Sequence, residues 1–209
     1  MSGRRLLPLA PLLLFGACGP TSPSPSPSPS LSPTPNACAT APSAYAKAVV
    51  DWWVPACSLA QNVYNDPTKA LGPPDATDAG PLGYTGFISL GFGGHVTLDL
   101  GGCISDRPGP DLRIYQAVSN EPVSVYVSLS PEGPFTLVEA RKECGERIDR
   151  VKGYCDFDLA SGGATQARYV RVEDGELFPC PGDTTSEGAD LDAVQALSVA
   201  TSSAPGQLP

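Results

Sequence analysis

Aspartate is the residue type in this chain whose spacing most directly suggests chemistry. In the segment GADLDAVQAL, near the end of the chain, Asp190 and Asp192 flank Leu191. If this segment is a β-strand, the two carboxylates point to the same face of a sheet. Such a pair could catalyse glycoside hydrolysis, in which the carboxyl groups stand about 5–9 Å apart. It could also bind a cation, or it could consist of ordinary polar residues at a turn.

Calcium is the cofactor that the acidic residues favour, because Ca²⁺ takes about six to eight oxygen ligands from carboxylates and loop carbonyls. Asp111 and Asp192 are the foremost ligands, since each stands where an apolar strand is predicted to begin. The alternative is that the aspartates only form Asx-type turns, which the segments GPPD and GPD favour. The predicted calcium ligands together are Asp111, Asp192, Asp190, Asp106 and Asp75.

Nucleophilic catalysis is not indicated. The chain has one histidine, His95, on the outward phase of the alternating segment HVTLDL. The preceding GFGG is not the G-x-S-x-G turn that carries a nucleophilic serine. We therefore predict that His95 is an exposed strand residue and that the protein is not an enzyme.

Aromatic side chains are the remaining candidates for ligand contacts, because sugars stack on exposed aromatic faces. Trp52 and Trp53 are adjacent, so on a strand one faces inward and the other outward. Tyr84 is predicted near a loop tip. These three residues are the predicted ligand contacts, although burial in the core is the more frequent position of such side chains.

Short alternating segments must position all of these residues. HVTLDL (95–100), VSVYVSLS (123–130) and RYVRVED (168–174) alternate apolar with polar residues. Turn-forming segments such as GPPDATDAG, PEGP and ASGG separate them. This pattern predicts an all-β fold, an antiparallel β-sandwich or jelly roll. The one helix candidate, 43–53, could equally be a strand.

The N-terminus resembles an export signal. Residues 1–17 combine two arginines with a short apolar run, which is typical of a secretory signal peptide. Small residues before Cys18 resemble a bacterial lipobox, so Cys18 is predicted to carry lipid. The lipid would anchor the chain in a membrane, at the outer membrane or cell surface. The alternative is secretion after cleavage by an ordinary signal peptidase.

Composition divides the rest of the chain. Residues 19–36 are predicted to be a disordered linker, because alternating Pro and Ser favours an extended, polyproline-like spacer. Residues 37–200 are the predicted β-sandwich, and residues 201–209 a disordered tail.

Cysteine usage agrees with export. Apart from Cys18, six of the seven cysteines remain, an even number suited to three disulfides in an oxidising compartment. The sequence contains no C-x-x-C segment or Cys/His cluster, which argues against zinc. The predicted pairs are Cys144–Cys155, Cys38–Cys57 and Cys103–Cys180.

The charge of the chain limits its partners. The net charge is −9, and removal of residues 1–17 would also remove Arg4 and Arg5. Such an acidic chain does not suit nucleic acid. Cations, neutral sugars and proteins remain as partners.

Six segments, in the same order, resemble a bacterial cell-surface family that carries a galactose-binding-like, discoidin-related jelly roll. They are YNDPTKALGPPDA, ISLGFGGHVTLDLGG, ISDRPGPDLRIYQ, VSVYVSLSPEGPFTLV, ARYVRVEDG and GADLDAV, and they cover most of 64–197. The resemblance implies export and a domain without catalysis. Related jelly rolls often hold a structural calcium in a loop. The ligand is not implied, because such folds bind sugars, lipids or proteins.

The sequence therefore predicts a non-catalytic binding module for a carbohydrate or an adhesion ligand, displayed on a lipid-anchored stalk and stabilised by calcium. Two alternatives stay open. One is a small secreted glycoside hydrolase, or an accessory domain of one. The other is a purely structural envelope lipoprotein.

Overall fold

The alternating segments form β-strands. The structure is a computed structural model, and it describes residues 38–56, 64–80, 83–117, 121–148, 152–175 and 188–198. The strands in this part are β1 (Ala48–Trp53), β2 (Thr77–Asp78), β3 (Tyr84–Thr85), β4 (Ile88–Ser89), β5 (His95–Ser105), β6 (Leu112–Ala117), β7 (Pro122–Ser128), β8 (Thr136–Glu143), β9 (Glu146–Arg147), β10 (Lys152–Phe157), β11 (Gln166–Asp174) and β12 (Asp190–Ala196). There are two single-turn 3-10 helices: Pro67–Ala70 lies between β1 and β2, and Leu159–Gly162 lies between β10 and β11.

Two five-stranded sheets carry most of these strands. Sheet I has the order β1-β5-β11-β7-β8, and sheet II has the order β4-β12-β6-β10-β9. A small third sheet pairs β2 with β3. Every pairing between these strands is antiparallel. The segment 43–53, for which the sequence left helix and strand open, contains the edge strand β1.

The core lies between the two sheets. Along each strand, alternate side chains point toward the core, because successive side chains of a strand face opposite sides. The inward residues include Val96 and Leu98 of β5, Val170 and Val172 of β11, Leu112 and Ile114 of β6, and Leu191 and Val194 of β12. The predicted all-β, antiparallel sandwich with disulfides is thereby confirmed.

A second, smaller apolar cluster covers part of the outer face of sheet II. Ala117 at the end of β6 packs there with Ala76 and Phe87. Tyr64 stacks on Phe87 with a distance of 4.6 Å between ring centroids, and Tyr84 packs against the same cluster. The part of this outer face around Ala117 is therefore buried, whereas Arg113 and Asp156 on the same face are partly exposed.

Two disulfides are present in the described part. Cys144–Cys155 joins the end of β8 to β10, as predicted. The other links Cys38 to Cys103, so the predicted pairs Cys38–Cys57 and Cys103–Cys180 are wrong. Cys57 and Cys180 themselves lie outside the described residues.

The reason for the Cys38–Cys103 pair is a close approach of two distant segments. The backbone N–H of Ser43 donates to the carbonyl oxygen of Leu100 at 2.8 Å. A Cβ atom at the buried Gly102 would collide with the backbone of Thr40 and Ala41. Glycine therefore lets the N-terminal segment lie directly against β5, which places Cys38 beside Cys103.

The predicted signal peptide, Cys18, the linker 19–36 and the tail 201–209 lie outside the described residues. Within the described part, no helix combines the length and apolar character needed to cross a membrane.

Candidate functional site

The structure divides the predicted calcium ligands between two places. Asp106 and Asp111 lie in the connection from β5 to β6. Asp190 and Asp192 lie on β12, next to the segment that contains Asp75. The five residues therefore do not form a single site.

Asp106 and Asp111 meet a third carboxylate, Asp158. One oxygen from each of the three residues lies within 4.8 Å of the others. Asp158 follows β10 and caps the 3-10 helix Leu159–Gly162, where its side chain accepts a hydrogen bond from the Ala160 N–H at 2.9 Å. The sequence analysis missed Asp158, although an aspartate before a short turn is a recognisable cap.

Asp111 is the buried member of this group. Its two carboxylate oxygens accept hydrogen bonds from the backbone N–H groups of Arg107 at 3.2 Å and Leu159 at 3.1 Å. Burial, and to a lesser extent the charges of Asp106 and Asp158, raise the pKa of Asp111, while the two N–H groups lower it. The three oxygens provide the chemistry that Ca²⁺ prefers, and Asp111 also joins two loops by itself.

Asp192 is fully buried at a bulge of β12, between Leu191 and Ala193. Its Oδ1 accepts hydrogen bonds from the backbone N–H groups of Asp75 at 2.9 Å and Ala76 at 3.3 Å. The side chain of Asp75 is exposed, so Asp75 contributes its backbone to this contact. Asp192 thus anchors the loop that carries the small cluster on sheet II.

Asp190 has different surroundings from Asp192. It is 8% exposed and pairs across the sheet with Ser89 of β4. Its Oδ1 has no hydrogen-bond partner among the described residues. Burial and then the charge of Glu121 raise the pKa of Asp190 to about 8, and the Ser89 hydroxyl lowers it in part. The two aspartates that open β12 are therefore not an equivalent pair.

Trp53 lies on the outer face of sheet I, opposite His95 of β5. It is 53% exposed, and its ring centroid lies 6.3 Å from that of His95. The next row of the same face contains Asp51, Thr97 and Arg171. We call Trp53, His95, Asp51, Arg171 and Phe135 together the Trp53 face.

Polar side chains on the Trp53 face hold each other in place. Asp51 Oδ2 lies 3.1 Å from His95 Nε2 and 3.4 Å from Arg171 Nη2. Arg171 Nε donates to the Thr97 hydroxyl at 2.9 Å, and the Arg171 guanidinium lies 4.3 Å from the centroid of the Phe135 ring. His95 faces outward as predicted, but its side chain is only 21% exposed because these neighbours lie beside it.

The three predicted ligand aromatics do not come together. Trp52 pairs with the inward-facing Val96 and lies at the edge of the sandwich with 37% exposure. Tyr84 packs against the cluster on sheet II. Only Trp53 is on the outer face of sheet I.

A groove of about 460 Å³ lies beside the Cys144–Cys155 disulfide, and it includes Lys142, Tyr154 and Asp156. Two of its charged groups, Lys142 and Asp156, already have protein partners. Arg113 donates to both carboxylate oxygens of Asp156, at 2.6 and 2.8 Å, and lies over the Tyr154 ring. Lys142 donates to the Asp156 carbonyl oxygen at 2.8 Å. The groove differs from the Trp53 face in its aromatic side chain, because the Tyr154 ring lies under Arg113 whereas Trp53 is 53% exposed.

Comparison of the chain with protein-family models, curated proteins and solved structures found no match. The two disulfides indicate an oxidising environment outside the cytoplasm. The fold and the geometry of its sites are thus the basis for a functional proposal.

Proposed function

We propose that the protein is a non-catalytic, surface-displayed binding module whose ligand is an extended neutral carbohydrate, bound on the Trp53 face. The observation that carries this proposal is the exposure of Trp53, 53%, beside a network of hydrogen-bonding side chains on the outer face of sheet I. A large, exposed aromatic side chain next to polar groups is typical of binding surfaces, because the ring offers apolar area at a low cost in conformational entropy.

The polar groups of the Trp53 face suit sugar hydroxyls, which both donate and accept hydrogen bonds. Asp51 supplies acceptors and Arg171 supplies donors. Their mutual contacts hold the side chains before a ligand arrives, which reduces the entropy lost on binding. Glu173, which pairs with His95 in the sheet, is a second acid beside Asp51 and Arg171, and this excess of acidic groups favours a neutral ligand over a polyanion.

The shape of the face favours an extended ligand. Small molecules usually bind in concave pockets, whereas the Trp53 face is the outer surface of a sheet. Neighbouring strands lie about 4.8 Å apart, so the distance from β1 to Arg171 on β11 is about 10 Å. Trp53 and Phe135 stand on either side of this polar row, an arrangement that suits more than one sugar ring.

Glycan binding by the purified chain tests the proposal. We expect Trp53→Ala to abolish binding on a glycan array. Trp53→Phe, which keeps an aromatic ring, should retain part of the binding of the wild type. Leu129→Ala is the matched control, because Leu129 is a similarly exposed apolar residue, at 46%, beyond the end of β7. Absence of binding to diverse glycans, or binding that Trp53→Ala leaves unchanged, would contradict the proposal.

Display on a membrane is the second part of the proposal. A lipid on Cys18 and the Pro/Ser-rich linker 19–36 would hold the sandwich away from the bilayer, at the outer membrane or cell surface. The Cys18→Ser variant should then leave the membrane fraction of the producing cell. Continued membrane association of this variant would refute the lipid anchor.

Calcium is the proposed cofactor, and the group Asp106, Asp111 and Asp158 supports it by the proximity of three carboxylates. Its role would be structural, since the group joins the β5–β6 connection to the turn after β10. The alternative of a glycoside hydrolase makes a different prediction. Turnover of glycoside substrates that Asp190→Asn abolishes would overturn the non-catalytic proposal.

A further inference from the structure

The outer face of sheet I continues beyond the Trp53 face onto β7 and β8. Tyr126 of β7 pairs with Arg171 of β11 on one side and with Leu137 of β8 on the other. Its chain neighbours Val125 and Val127 belong to the core, so the Tyr126 side chain points outward. A single row of outward side chains therefore crosses all five strands, and its members are Asp51, Thr97, Arg171, Tyr126 and Leu137.

The far end of this row is apolar. Leu137 is 41% exposed, and the partly exposed Tyr126 stands beside it, because directly paired residues of neighbouring strands lie side by side. Trp53 on β1 is the apolar group at the opposite side of the sheet. The outer face of sheet I thus has two apolar platforms, with the polar groups of Asp51 and Arg171 between them.

Contacts with β11 hold Tyr126 in place. Glu173 stands diagonally opposite Tyr126, since Glu173 pairs with Ser124 and Arg171 pairs with Tyr126. Burial, followed by the charge of Glu173 and a hydrogen bond to it, raises the pKa of Tyr126. The Tyr126 hydroxyl is therefore protonated at neutral pH and donates to Glu173. A ring positioned in this way loses little conformational entropy when it contacts a ligand.

The separation of the two platforms sets the length of the ligand. Trp53 lies on β1 and Tyr126 on β7, three strand spacings apart in sheet I, which is about 14 Å at about 4.8 Å per spacing. A sugar ring is about as wide as one spacing, so a chain that contacts both platforms contains about four rings. In the described part β1 and β8 are the two edges of sheet I, so a chain that follows the row can continue past both edges.

We propose that the ligand of the Trp53 face is an internal segment of an extended, neutral β-1,4-linked glycan, and that Tyr126 and Leu137 form its second apolar contact. This inference rests on the proposed function and specifies its ligand. The glycan runs across the strands, and Asp51 and Arg171 bond the hydroxyl groups of the rings between the two platforms. A β-1,4 linkage keeps successive sugar rings in an extended chain, which a row of contacts across the sheet requires.

Isothermal titration calorimetry of the full chain with β-1,4-linked glucose and mannose oligomers, from dimer to hexamer, tests this inference. In at least one of the two series, we expect the tetramer to bind about tenfold more tightly than the dimer, because only the tetramer contacts both platforms. Tyr126→Ala and Leu137→Ala should each reduce this gain and leave dimer binding unchanged. Tyr126→Phe, which keeps the ring, should retain most of the gain. Chemical modification of both terminal sugars should not weaken hexamer binding, since the chain is bound internally.

Ile148→Ala is the matched control for Leu137→Ala. Ile148 is a similarly exposed apolar residue, at 52%, and it follows β9 of sheet II, so its variant should bind every oligomer as the wild type does. Leu137 is exposed, so Leu137→Ala tests the second platform even if Tyr126→Ala fails to fold, which thermal melts would show.

Three outcomes would contradict the inference, and they separate it from the proposed function. Trp53-dependent binding with equal affinity for dimer and tetramer, or a tetramer affinity that neither Tyr126→Ala nor Leu137→Ala changes, would overturn this inference alone. Trp53-dependent binding restricted to terminal sugars or branched glycans on the array would also overturn it alone. Absence of binding to any glycan would overturn the proposed function and this inference together.

Discussion

Asp192→Ala tests whether this buried aspartate anchors a loop of the sandwich. Its carboxylate accepts the N–H groups of Asp75 and Ala76. Alanine would leave both donors without this partner, and each buried donor left unsatisfied costs about 1–3 kcal/mol. The contact to Asp75 is partly buried and the contact to Ala76 is buried, so water can compensate the first more readily than the second. We therefore expect the free energy of unfolding to fall by about 3–4 kcal/mol.

Urea unfolding in the presence of chelator measures this loss without any contribution from a bound cation. Hydrogen exchange at the amides of Asp75 and Ala76 should accelerate together, because both N–H groups lose the same acceptor. Asp192→Asn retains a carbonyl acceptor but not the charge, and it should cost about half as much.

Asp78→Ala is the matched control for Asp192→Ala. The carboxylate of Asp78 also accepts a backbone N–H, from Gly80 at 2.8 Å, but it is exposed. Water can replace this acceptor, so we expect a loss of less than about 1 kcal/mol. If Asp192→Ala also costs less than about 1 kcal/mol and leaves exchange at residues 75 and 76 unchanged, the anchoring role is refuted.

Two further predictions concern β5. Burial raises the pKa of Asp99, but the hydrogen bonds from Arg168 and Gly101 outweigh it and hold that pKa below the ordinary value of 3.8. This carboxylate therefore stabilises the fold above about pH 4, and the contribution is lost as the pH falls through the lowered pKa. Asp99→Asn should cost about 1–2 kcal/mol at pH 7 and make acid unfolding less steep, as urea titrations from pH 2 to 7 can measure; an equally steep acid limb would contradict this role. Gly102→Ala should destabilise the protein by about 1–3 kcal/mol in thermal melts, because its Cβ would collide with the backbone of Thr40 and Ala41. Gly145→Ala, whose Cβ meets no atom within 4 Å, is the control, and equal melting of the two variants would refute the close approach.

The sandwich was predictable because its information is local. A strand buries alternate residues, so HVTLDL and RYVRVED already show which side chains face the core. Cys144 and Cys155 are 11 residues apart in sequence, and the hairpin-like segment between them made their pairing a short-range inference. The outward phase of His95 follows from the same alternation.

Contacts between distant segments were not predictable. Cys38 and Cys103 are separated by 65 residues, and their pairing depends on the close packing of the N-terminal segment against Gly102. Asp158 joins Asp106 and Asp111 only because the turn after β10 lies beside the β5–β6 connection. Neither of these two contacts produces a periodic pattern of residues in the sequence.

The two aspartates of GADLDAVQAL show what the sequence determines and what only the tertiary structure decides. The sequence by itself determined that Asp190 and Asp192 stand at the start of an apolar strand, because strand periodicity depends on neighbouring residues alone. Only the tertiary structure decided that Asp192 meets two backbone N–H groups and that Asp190 is buried opposite Ser89 of β4. The physical reason is that the environment of a buried charge is made by segments far away in sequence, which the bulge in β12 and the loop packed on sheet II bring to it.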